Sequence, residues 1–486
     1  MRRHIPAFKN IIFILIICLA AFLRLWRISD VPPGVNRDEA SIGYTAYSLL
    51  KTGNDEYGRR FPISFESFGD WKLPLYIYLD IPFVAAFGPT ELAIRLPSAL
   101  AGITAVILLY FLVHELFGKR NLALLASFTL AVSPWHLHLS RVESESNVAV
   151  MFVTAALLLF FKSLKPKAAQ WLLPASAVLF SLTYYTYHGN HITTTLIMAG
   201  LLFIYRKSLP KGKILLISAA LFILLTGFIL SKTLVQADKT KISGISIFGD
   251  PAVIHERIEV PRSQSANPTG LLTRLRYNRV TYGVTTVAAN YLNAFSPQFL
   301  FFRGGGNKAH NIEGMGNFYF IESIFLVLGV LYLLTSYKKR SSQFLLWWLL
   351  IAPAAASITK DAPHTNRMFA IFPLPAIIIA LGALPLLLNK WNRSAVIAVY
   401  TLSILGYLFL YHTQFPVYET RNWGYAVKQI TPKLTSTYAS EHVVMPAPES
   451  SPYIFLLLYS RYDPAAYQRE AMRYPLKSDE FVHDSE

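Results

Sequence analysis

Long apolar runs separated by short charged segments are the feature of this sequence that most constrains its fold. Eleven of these runs are candidate membrane spans: residues 10–28, 95–117, 121–139, 147–163, 170–187, 191–205, 213–231, 317–337, 342–358, 364–388 and 394–411. Several are shorter than the about 20 residues that an untilted span needs, so we expect tilt or local thinning of the bilayer. Only 15% of the residues are charged, against about 25% in an ordinary soluble domain. The pattern predicts an all-α polytopic membrane protein and disfavours a soluble multidomain enzyme or a disordered chain.

The distribution of Lys and Arg between the runs predicts their orientation. The first run lacks a small-residue cleavage site and ends near Arg24 and Arg27, which indicates a retained anchor. With the N-terminus in the cytoplasm, the inner segments hold many cations and no Asp or Glu: Arg2, Arg3, Lys9, Lys119, Arg120, Lys162, Lys165, Lys167, Arg206, Lys207, Lys211, Lys213, Lys338, Lys339, Arg340, Lys390 and Arg393. This asymmetry follows the positive-inside rule. A further apolar stretch at 73–87 would be only roughly 22 Å long as a helix, against a membrane core of about 30 Å, so we predict an interfacial helix there.

This topology predicts where the chemistry takes place. Three large segments fall outside the cytoplasm: 29–94, 232–316 and 412–486. The inner loops are too short to hold a site, so we expect an extracytoplasmic active site in a cell-membrane protein. We divide the chain into a transmembrane domain, 1–411, and an extracytoplasmic C-terminal region, 412–486. Helix-like stretches at 422–430 and 452–460 and a strand-like stretch at 442–445 predict a small α/β fold in that region.

Two composition features limit the partners. The net charge is +17, but the cations sit between candidate spans, which favours contact with an anionic membrane surface over nucleic acid. The single cysteine, Cys18, lies inside the first apolar run. The chain can therefore form no intramolecular disulfide and no cysteine-based metal site.

Paired carboxylates follow the first span. Asp38 and Glu39 precede a helix-like stretch, residues 40–51. One carboxylate could deprotonate a hydroxyl while the other tunes it or holds a cation. Alternatively, both simply favour the dipole of a helix N-terminus. The residues alone leave both interpretations open.

Two cations in the outer segments are candidates for binding a phosphate. Lys72 stands at the entry to the interfacial helix, where a lysine can bind a lipid phosphate or only extend its ammonium to water. Arg141 lies on the outer rim against the positive-inside trend, so we expect it to have a specific partner. That partner could be a phosphate or Glu145, four residues further on.

Two further outer segments are rich in polar residues. Residues 302–311 include Arg303, three glycines and His310; the glycines could let backbone N–H groups approach an anion, or could only make the loop flexible. Residues 360–367 include Asp361, His364 and Arg367 and could line the mouth of a cavity. No spacing of ligands is diagnostic of a metal, so we assign no metal residues and no cofactor, although a divalent cation is possible.

Motifs along nearly the whole chain resemble the GT-C membrane glycosyltransferases, in particular the protein O-mannosyltransferase and aminoarabinose-transferase group, in a bacterial branch of unassigned acceptor. The matching motifs are Arg37-Asp38-Glu39, residues 68–76, Arg95-Leu96-Pro97-Ser98, residues 133–141, Tyr187-His188, residues 301–310 with Gly314-Met315-Gly316, residues 361–364 with Arg367, and residues 415–418. The resemblance implies a multi-helix bundle and a sugar donor carried on a polyprenyl phosphate.

The resemblance also implies roles for residues. Asp38 matches the catalytic carboxylate of the family, and we take Asp38 and Glu39 as the catalytic candidates. Lys72 matches a residue that contacts the lipid phosphate. Relatives of the aminoarabinose type have Glu before that lysine, where this chain has Trp71. Asp70 is the nearest substitute. We take the following as further candidates: Arg141, Arg303 and Arg367 for the donor phosphate, and Arg37, Asp70, His310, Asp361 and His364 for other parts of the site.

The sequence thus predicts the transfer of a sugar to an acceptor hydroxyl on a protein, lipid or glycan. A single displacement with Asp38 as the base would invert the anomeric centre. Two alternatives remain: an envelope polysaccharide polymerase or ligase, and a transporter of lipid-linked sugars. A transporter would carry more charges at mid-membrane than these spans do, since Glu322 lies near the edge of its span.

Overall fold

The computed structural model describes residues 5–68, 70–236, 244–438 and 451–471, and these residues are mostly helical. The helices up to residue 236 are α1 (Ile5–Leu25), α2 (Arg37–Thr52), α3 (Pro74–Phe87), α4 (Glu91–Phe117), α5 (Arg120–Val132), α6 (Pro134–Leu139), α7 (Glu145–Ser163), α8 (Leu172–Leu182), α9 (Gly189–Tyr205) and α10 (Lys213–Gln236). Strands β1 (Phe65–Ser67) and β2 (Asp70–Lys72) form an antiparallel hairpin between α2 and α3.

The second half continues the bundle after an irregular segment. Its helices are α11 (Pro251–Ile254), α12 (Val260–Ser263), α13 (Leu271–Arg276), α14 (Arg279–Asn293), α15 (Glu322–Thr335), α16 (Arg340–Ile351), α17 (Ala354–Ser357), α18 (Leu374–Leu388), α19 (Lys390–Phe409), α20 (Phe415–Tyr418), α21 (Tyr425–Ser436), α22 (Tyr453–Ser460) and α23 (Pro464–Glu470). The large apolar core joins side chains of α1, α4, α5, α7, α15, α16 and α18.

Local signals in the sequence set several helix ends. The Asn36 side chain accepts a hydrogen bond from the backbone of Glu39, which starts α2, and Gly53 ends that helix with a positive φ. Thr90 and Ser144 cap α4 and α7 in the same way as Asn36. The Asn36 cap therefore places Asp38 and Glu39 in the first turn of α2.

A helix is present in every predicted span, but several are shorter than predicted. Within the described residues, four helices are long and apolar enough to cross a membrane: Glu91–Phe117, Glu145–Ser163, Lys213–Thr233 and Lys390–Tyr418. Seven shorter apolar helices accompany them, including Pro74–Phe87. The predicted span 121–139 breaks after α5, because Pro134 has no N–H to continue the helix. The number of eleven crossings and the interfacial position of α3 remain predictions.

The two ends of the bundle differ in charge. At one end, side-chain contacts join the cation-rich connections: Arg120 with Asn10, Lys165 with Glu115, and Arg340 with Ser208. At the opposite end, the connections that carry Asp38, Arg141 and His364 meet. We call this opposite end the site end.

The C-terminal helices cover α2 at the site end. Ile454 and Leu458 of α22 pack with Ala40 and Tyr44 of α2, and Tyr467 of α23 joins the same cluster. The described residues of the predicted C-terminal region form helices and connecting segments. The strand predicted at 442–445 lies outside the residues that the structure describes, so the α/β fold of this region remains a prediction.

Candidate functional site

An ion pair between Asp38 and Lys72 lies at the centre of the site end. The Lys72 Nζ lies 2.6 Å from the Asp38 Oδ1, and the two residues come from the first turn of α2 and the last position of the hairpin. The lysine side chain is only 8% exposed, whereas that of Asp38 is 59% exposed. A fixed buried cation therefore holds a carboxylate that an incoming molecule can reach.

The neighbouring carboxylate of Glu39 faces the interior instead. Arg95 donates to it from Nε at 3.1 Å and from Nη2 at 3.0 Å, and both side chains are fully buried. The backbone N–H of Glu143 donates to the same carboxylate at 2.8 Å. Consecutive helix residues point about 100° apart, so this arrangement separates the two carboxylates into an interior and an accessible one.

Two buried guanidiniums hold the connection between α1 and α2. Arg95 also donates to the carbonyl oxygens of Ile28, Pro32 and Gly34. Arg141 is fully buried and donates to five carbonyls, those of Leu23, Arg24, Trp26, Arg27 and Val31. Among the described residues its partners are thus backbone carbonyls and the ring of Tyr411, 5.2 Å away. A role of Arg141 in binding the donor phosphate remains a prediction.

Glu143 is a site residue that the sequence analysis missed. It lies within electrostatic reach of Asp38, Lys72 and Glu145, and its Oε1 is buried without a hydrogen-bond partner in the described part of the chain. Burial first, and then the charges of Glu145 and Asp38, raise the pKa of the Glu143 carboxyl well above its ordinary value, while Lys72 opposes the shift. The sequence signal was a pair of carboxylates, Glu143 and Glu145, at the N-terminus of α7, on the outer rim.

His310 from one loop, with His364 and Arg367 from another, completes this side of the site. The rings of His310 and His364 lie 5.3 Å apart. Burial lowers the pKa of His310 to about 3 and that of His364 to about 4, and the charge of Arg367 adds to both shifts. Asp38 is close enough to His310 to oppose its shift. Both imidazoles are therefore neutral at pH 7, so they can donate or accept a hydrogen bond without adding charge.

Arg367 connects the histidines to the acidic residues. Its Nη2 lies 3.3 Å from the Asp361 carboxylate, and its Nη1 is buried without a hydrogen-bond partner in the described part of the chain. Tyr187 lies within electrostatic reach of both Arg367 and Glu145. Arg367 thus carries a hydrogen-bond donor without a partner among the described residues, and it lies within electrostatic reach of His310, which is in turn close to Asp38.

The other predicted residues have different positions. Arg303 is exposed. The Gly305 N–H donates to the side chains of Asn311 and Thr365, which ties the glycine-rich loop to the loop of His364. Arg37 lies over the Phe68 ring at 4.8 Å. Asp70 is part of the hairpin, and its side chain lies outside what the structure describes.

An apolar cavity of about 600 Å³ opens beside this cluster. Side chains of α15, α16 and α18 and of residues 294–302 form most of its wall, with Trp135 at the site end. Phe302 and Met368 line it and are the chain neighbours of Arg303 and Arg367. The wall of the cavity is thus almost entirely apolar, and two cationic residues are next in sequence to residues that line it. In the described ranges, no three His, Cys, Asp or Glu side chains form a group that could hold a metal.

Comparison of the sequence with known proteins identifies one matching segment. Residues 72–230 match the family model described as dolichyl-phosphate-mannose-protein mannosyltransferase. YkcB of Bacillus subtilis (strain 168), which is named as a mannosyltransferase, is 29% identical over 169 residues, or 34% of this chain and 22% of its own length. YycA of the same organism, with a similar name, is 28% identical over 169 residues and is covered over 23% of its length. The match thus spans less than a quarter of either curated relative.

Comparison of the fold covers almost the whole chain. ArnT from Cupriavidus metallidurans, solved bound to undecaprenyl phosphate, gives a TM-score of 0.56 at 12% identity, with 94% of this chain and 87% of that chain covered. The oligosaccharyltransferase AglB from Archaeoglobus fulgidus, solved with an inhibitory peptide and a dolichol-phosphate, gives 0.54 at 14% identity, with 98% and 62% covered. The resemblance to GT-C membrane glycosyltransferases that the motifs predicted is confirmed by this shared fold and by the matching segment.

Proposed function

We propose that this protein is a membrane glycosyltransferase that moves a sugar from a polyprenyl-phosphate-linked donor to an acceptor hydroxyl at the site end. The observation that carries the proposal is the accessible Asp38 carboxylate held 2.6 Å from the buried Lys72 ammonium. Two fold relatives were solved with polyprenyl phosphates, which supports a donor of this class. The names of the matching family and of the two Bacillus proteins make mannose the first donor sugar to test.

The chemistry of such a donor fits these residues. A polyprenyl phosphate is already a good leaving group, so the reaction needs a base for the acceptor and cations for the departing phosphate. Asp38 takes the acceptor proton, the acceptor oxygen bonds to the anomeric carbon, and the bond from that carbon to the phosphate oxygen breaks. The bonding electrons leave with the phosphate, beside Lys72 and Arg367. One displacement of this kind inverts the anomeric centre.

Lys72 has two successive partners in this mechanism. Before the donor binds, its ammonium neutralises Asp38. A donor phosphate that approaches Lys72 competes for that ammonium and leaves the carboxylate available to the acceptor hydroxyl. The unpaired Nη1 of Arg367 is a second donor for the phosphate. Donor binding would in this way prepare the base.

The apolar cavity supports a lipid-borne donor. Its wall is apolar, and Arg303 and Arg367 are next in sequence to the lining residues Phe302 and Met368. We place the first isoprene units of the donor in this cavity and its phosphate near these two arginines and Lys72. The cation-rich connections at the other end of the bundle would face the cytoplasm. The site, the C-terminal helices and the acceptor would then be extracytoplasmic.

Substitution of Asp38 tests the proposal. We expect Asp38→Asn to lower sugar transfer in membranes by about 10²-fold or more, the usual contribution of a general base. The matched control is Asp30→Asn, since Asp30 is also exposed, at 62%, and pairs with Arg27 in the connection before α2. The measurement follows labelled mannose that is transferred from polyprenyl-phosphate mannose, and we expect the control variant to keep this activity. Full transfer by Asp38→Asn at equal protein level would overturn the mechanism.

A further inference from the structure

Residues 271–292 form an exposed amphipathic unit at the site end. Leu271, Leu272 and Leu275 of α13 are exposed, Leu272 by 82%. On α14, Val280, Val284, Ala288 and Leu292 recur at four-residue steps and are all exposed. Residues four apart lie on the same side of a helix, so these side chains form one apolar stripe.

The opposite side of α14 is fixed to the protein. The Asn290 amide donates to the carbonyls of Ser357 and Thr359, and the Tyr291 hydroxyl donates to the Leu350 carbonyl at 2.7 Å. Leu350 belongs to α16, a predicted span, and is itself exposed. The C-terminal part of α14 therefore lies at the site end, beside an exposed side chain of a helix that belongs to a predicted span.

The corner between the two helices is rigid. Asn278 accepts hydrogen bonds from the backbone of Val280 and Thr281 and donates to the carbonyls of Arg274 and Leu275. These four bonds fix the direction of α13 relative to α14. The leucines of the first helix and the stripe of the second are thus parts of one surface.

The charge of this unit indicates its partner. Residues 260–312 contain no Asp or Glu but include Arg262, Arg274, Arg276, Arg279, Arg303 and Lys308. The three arginines next to the leucines, at 274, 276 and 279, are exposed. Exposed cations beside an exposed apolar stripe are typical of helices that lie in a membrane interface, with guanidiniums at the phosphates and apolar side chains among the acyl chains.

We infer that residues 271–292 bind the surface of the membrane leaflet at the site end and prefer anionic phospholipids there. The leucines and valines enter the acyl region, and Arg274, Arg276 and Arg279 bind lipid phosphates. The inference does not depend on the proposed reaction. It explains why this segment keeps cations on a side of the protein where the positive-inside rule disfavours them.

Depth-dependent quenching of a fluorescent label tests this inference. The full chain first carries Cys18→Ala, because the exposed Cys18 would also react with the label. A single cysteine is then introduced by Leu272→Cys or Val284→Cys and carries an environment-sensitive label. Glu313→Cys, also exposed, is the aqueous reference. The protein is reconstituted into vesicles of phosphatidylcholine, with or without phosphatidylglycerol, that contain brominated lipid. We expect brominated lipid to quench the labels at 272 and 284 at least about twofold more than the label at 313.

The arginines give the second arm of the experiment. Phosphatidylglycerol should increase the quenching at 272, and combined Arg274→Gln, Arg276→Gln and Arg279→Gln should remove that increase. The matched control removes three cations at the other end of the bundle, with Lys338→Gln, Lys339→Gln and Arg340→Gln. Labels at 272 and 284 that a water-soluble quencher reaches as readily as the label at 313 would overturn the inference. Labels shielded from both quenchers would also overturn it and would indicate a protein partner or a second copy of the chain.

Discussion

The guanidinium of Arg95 donates two hydrogen bonds to the carboxylate of Glu39, at 3.1 and 3.0 Å, and neither side chain is exposed to solvent. Removing one member of such a pair leaves an uncompensated buried charge, which typically costs about 3–5 kcal/mol. We therefore predict that Glu39→Ala lowers the free energy of unfolding by about that amount. Thermal unfolding of the purified protein in detergent measures the loss.

The effect of replacing Asp38 on the free energy of unfolding provides the comparison for this prediction. Asp38 is more than half exposed, whereas Lys72 is buried, so only one member of this pair lies in the interior. We expect Asp38→Ala to lower the free energy of unfolding by less than Glu39→Ala does, while it abolishes transfer. Equal losses of stability in the two variants would show that the two carboxylates do not have the separate roles proposed for them.

Lys72 should affect donor binding and chemistry together. Lys72→Gln keeps a hydrogen-bond donor but removes the charge that faces the donor phosphate, so we expect a higher KM for the donor and a lower kcat. A reduction in kcat/KM of about 10²-fold corresponds to the loss of one electrostatic contact to the transition state. Lys428→Gln is the control, because Lys428 pairs with Glu91 at 2.8 Å and has no place in the mechanism. A change in kcat alone would place Lys72 away from the donor phosphate.

Site residues that lie in recognisable sequence motifs could be predicted from the sequence. Contacts between a side chain and the backbone of a distant segment could not. Asp38 and Lys72 lie in motifs that resemble a known family, and the structure brings them together over 34 positions. The partners of Arg141 are carbonyl oxygens of residues 23–31. Every residue has a carbonyl, so no pattern of side chains could have identified them.

The fold likewise has features that local sequence signals predict and features that depend on the packing of distant segments. The apolar periodicity indicated a helix in each predicted span, and the break after α5 follows from Pro134, a local signal. The sequence pattern gave Glu143 no role in the site. Its neighbours Asp38 and Lys72 come from segments about 100 and 70 positions earlier, and only the packed bundle brings these loops together.

The two neutral histidines predict a dependence of stability on pH. Their pKa values in the folded protein, about 3 for His310 and about 4 for His364, lie below the ordinary value of 6.5. Below pH 6.5 the unfolded chain takes up protons that the folded chain does not, so stability falls as the pH drops from 6.5 towards 4. We expect the double variant His310→Gln with His364→Gln to flatten this part of the profile. His255→Gln, at an exposed histidine, should leave it unchanged; an unaltered slope in the double variant would contradict the prediction.

The buried carboxyl of Glu143 leads us to predict a dependence of stability on pH that is opposite in sign to that of the two histidines. Burial and the nearby carboxylates raise the pKa of its carboxyl well above the ordinary value of 4.5, so the folded chain keeps a proton that the unfolded chain loses. Stability from this group is present at low pH and is lost as the pH rises through the folded pKa. Glu143→Gln keeps a neutral side chain of similar shape at every pH. We therefore expect the variant to be more stable than the wild-type protein at pH 8 and equal to it near pH 4.5, by thermal unfolding. Glu313→Gln, at an exposed carboxylate, should show no such difference between the two pH values. A Glu143→Gln protein that is less stable at pH 8 would mean that the ionised carboxylate holds the site together.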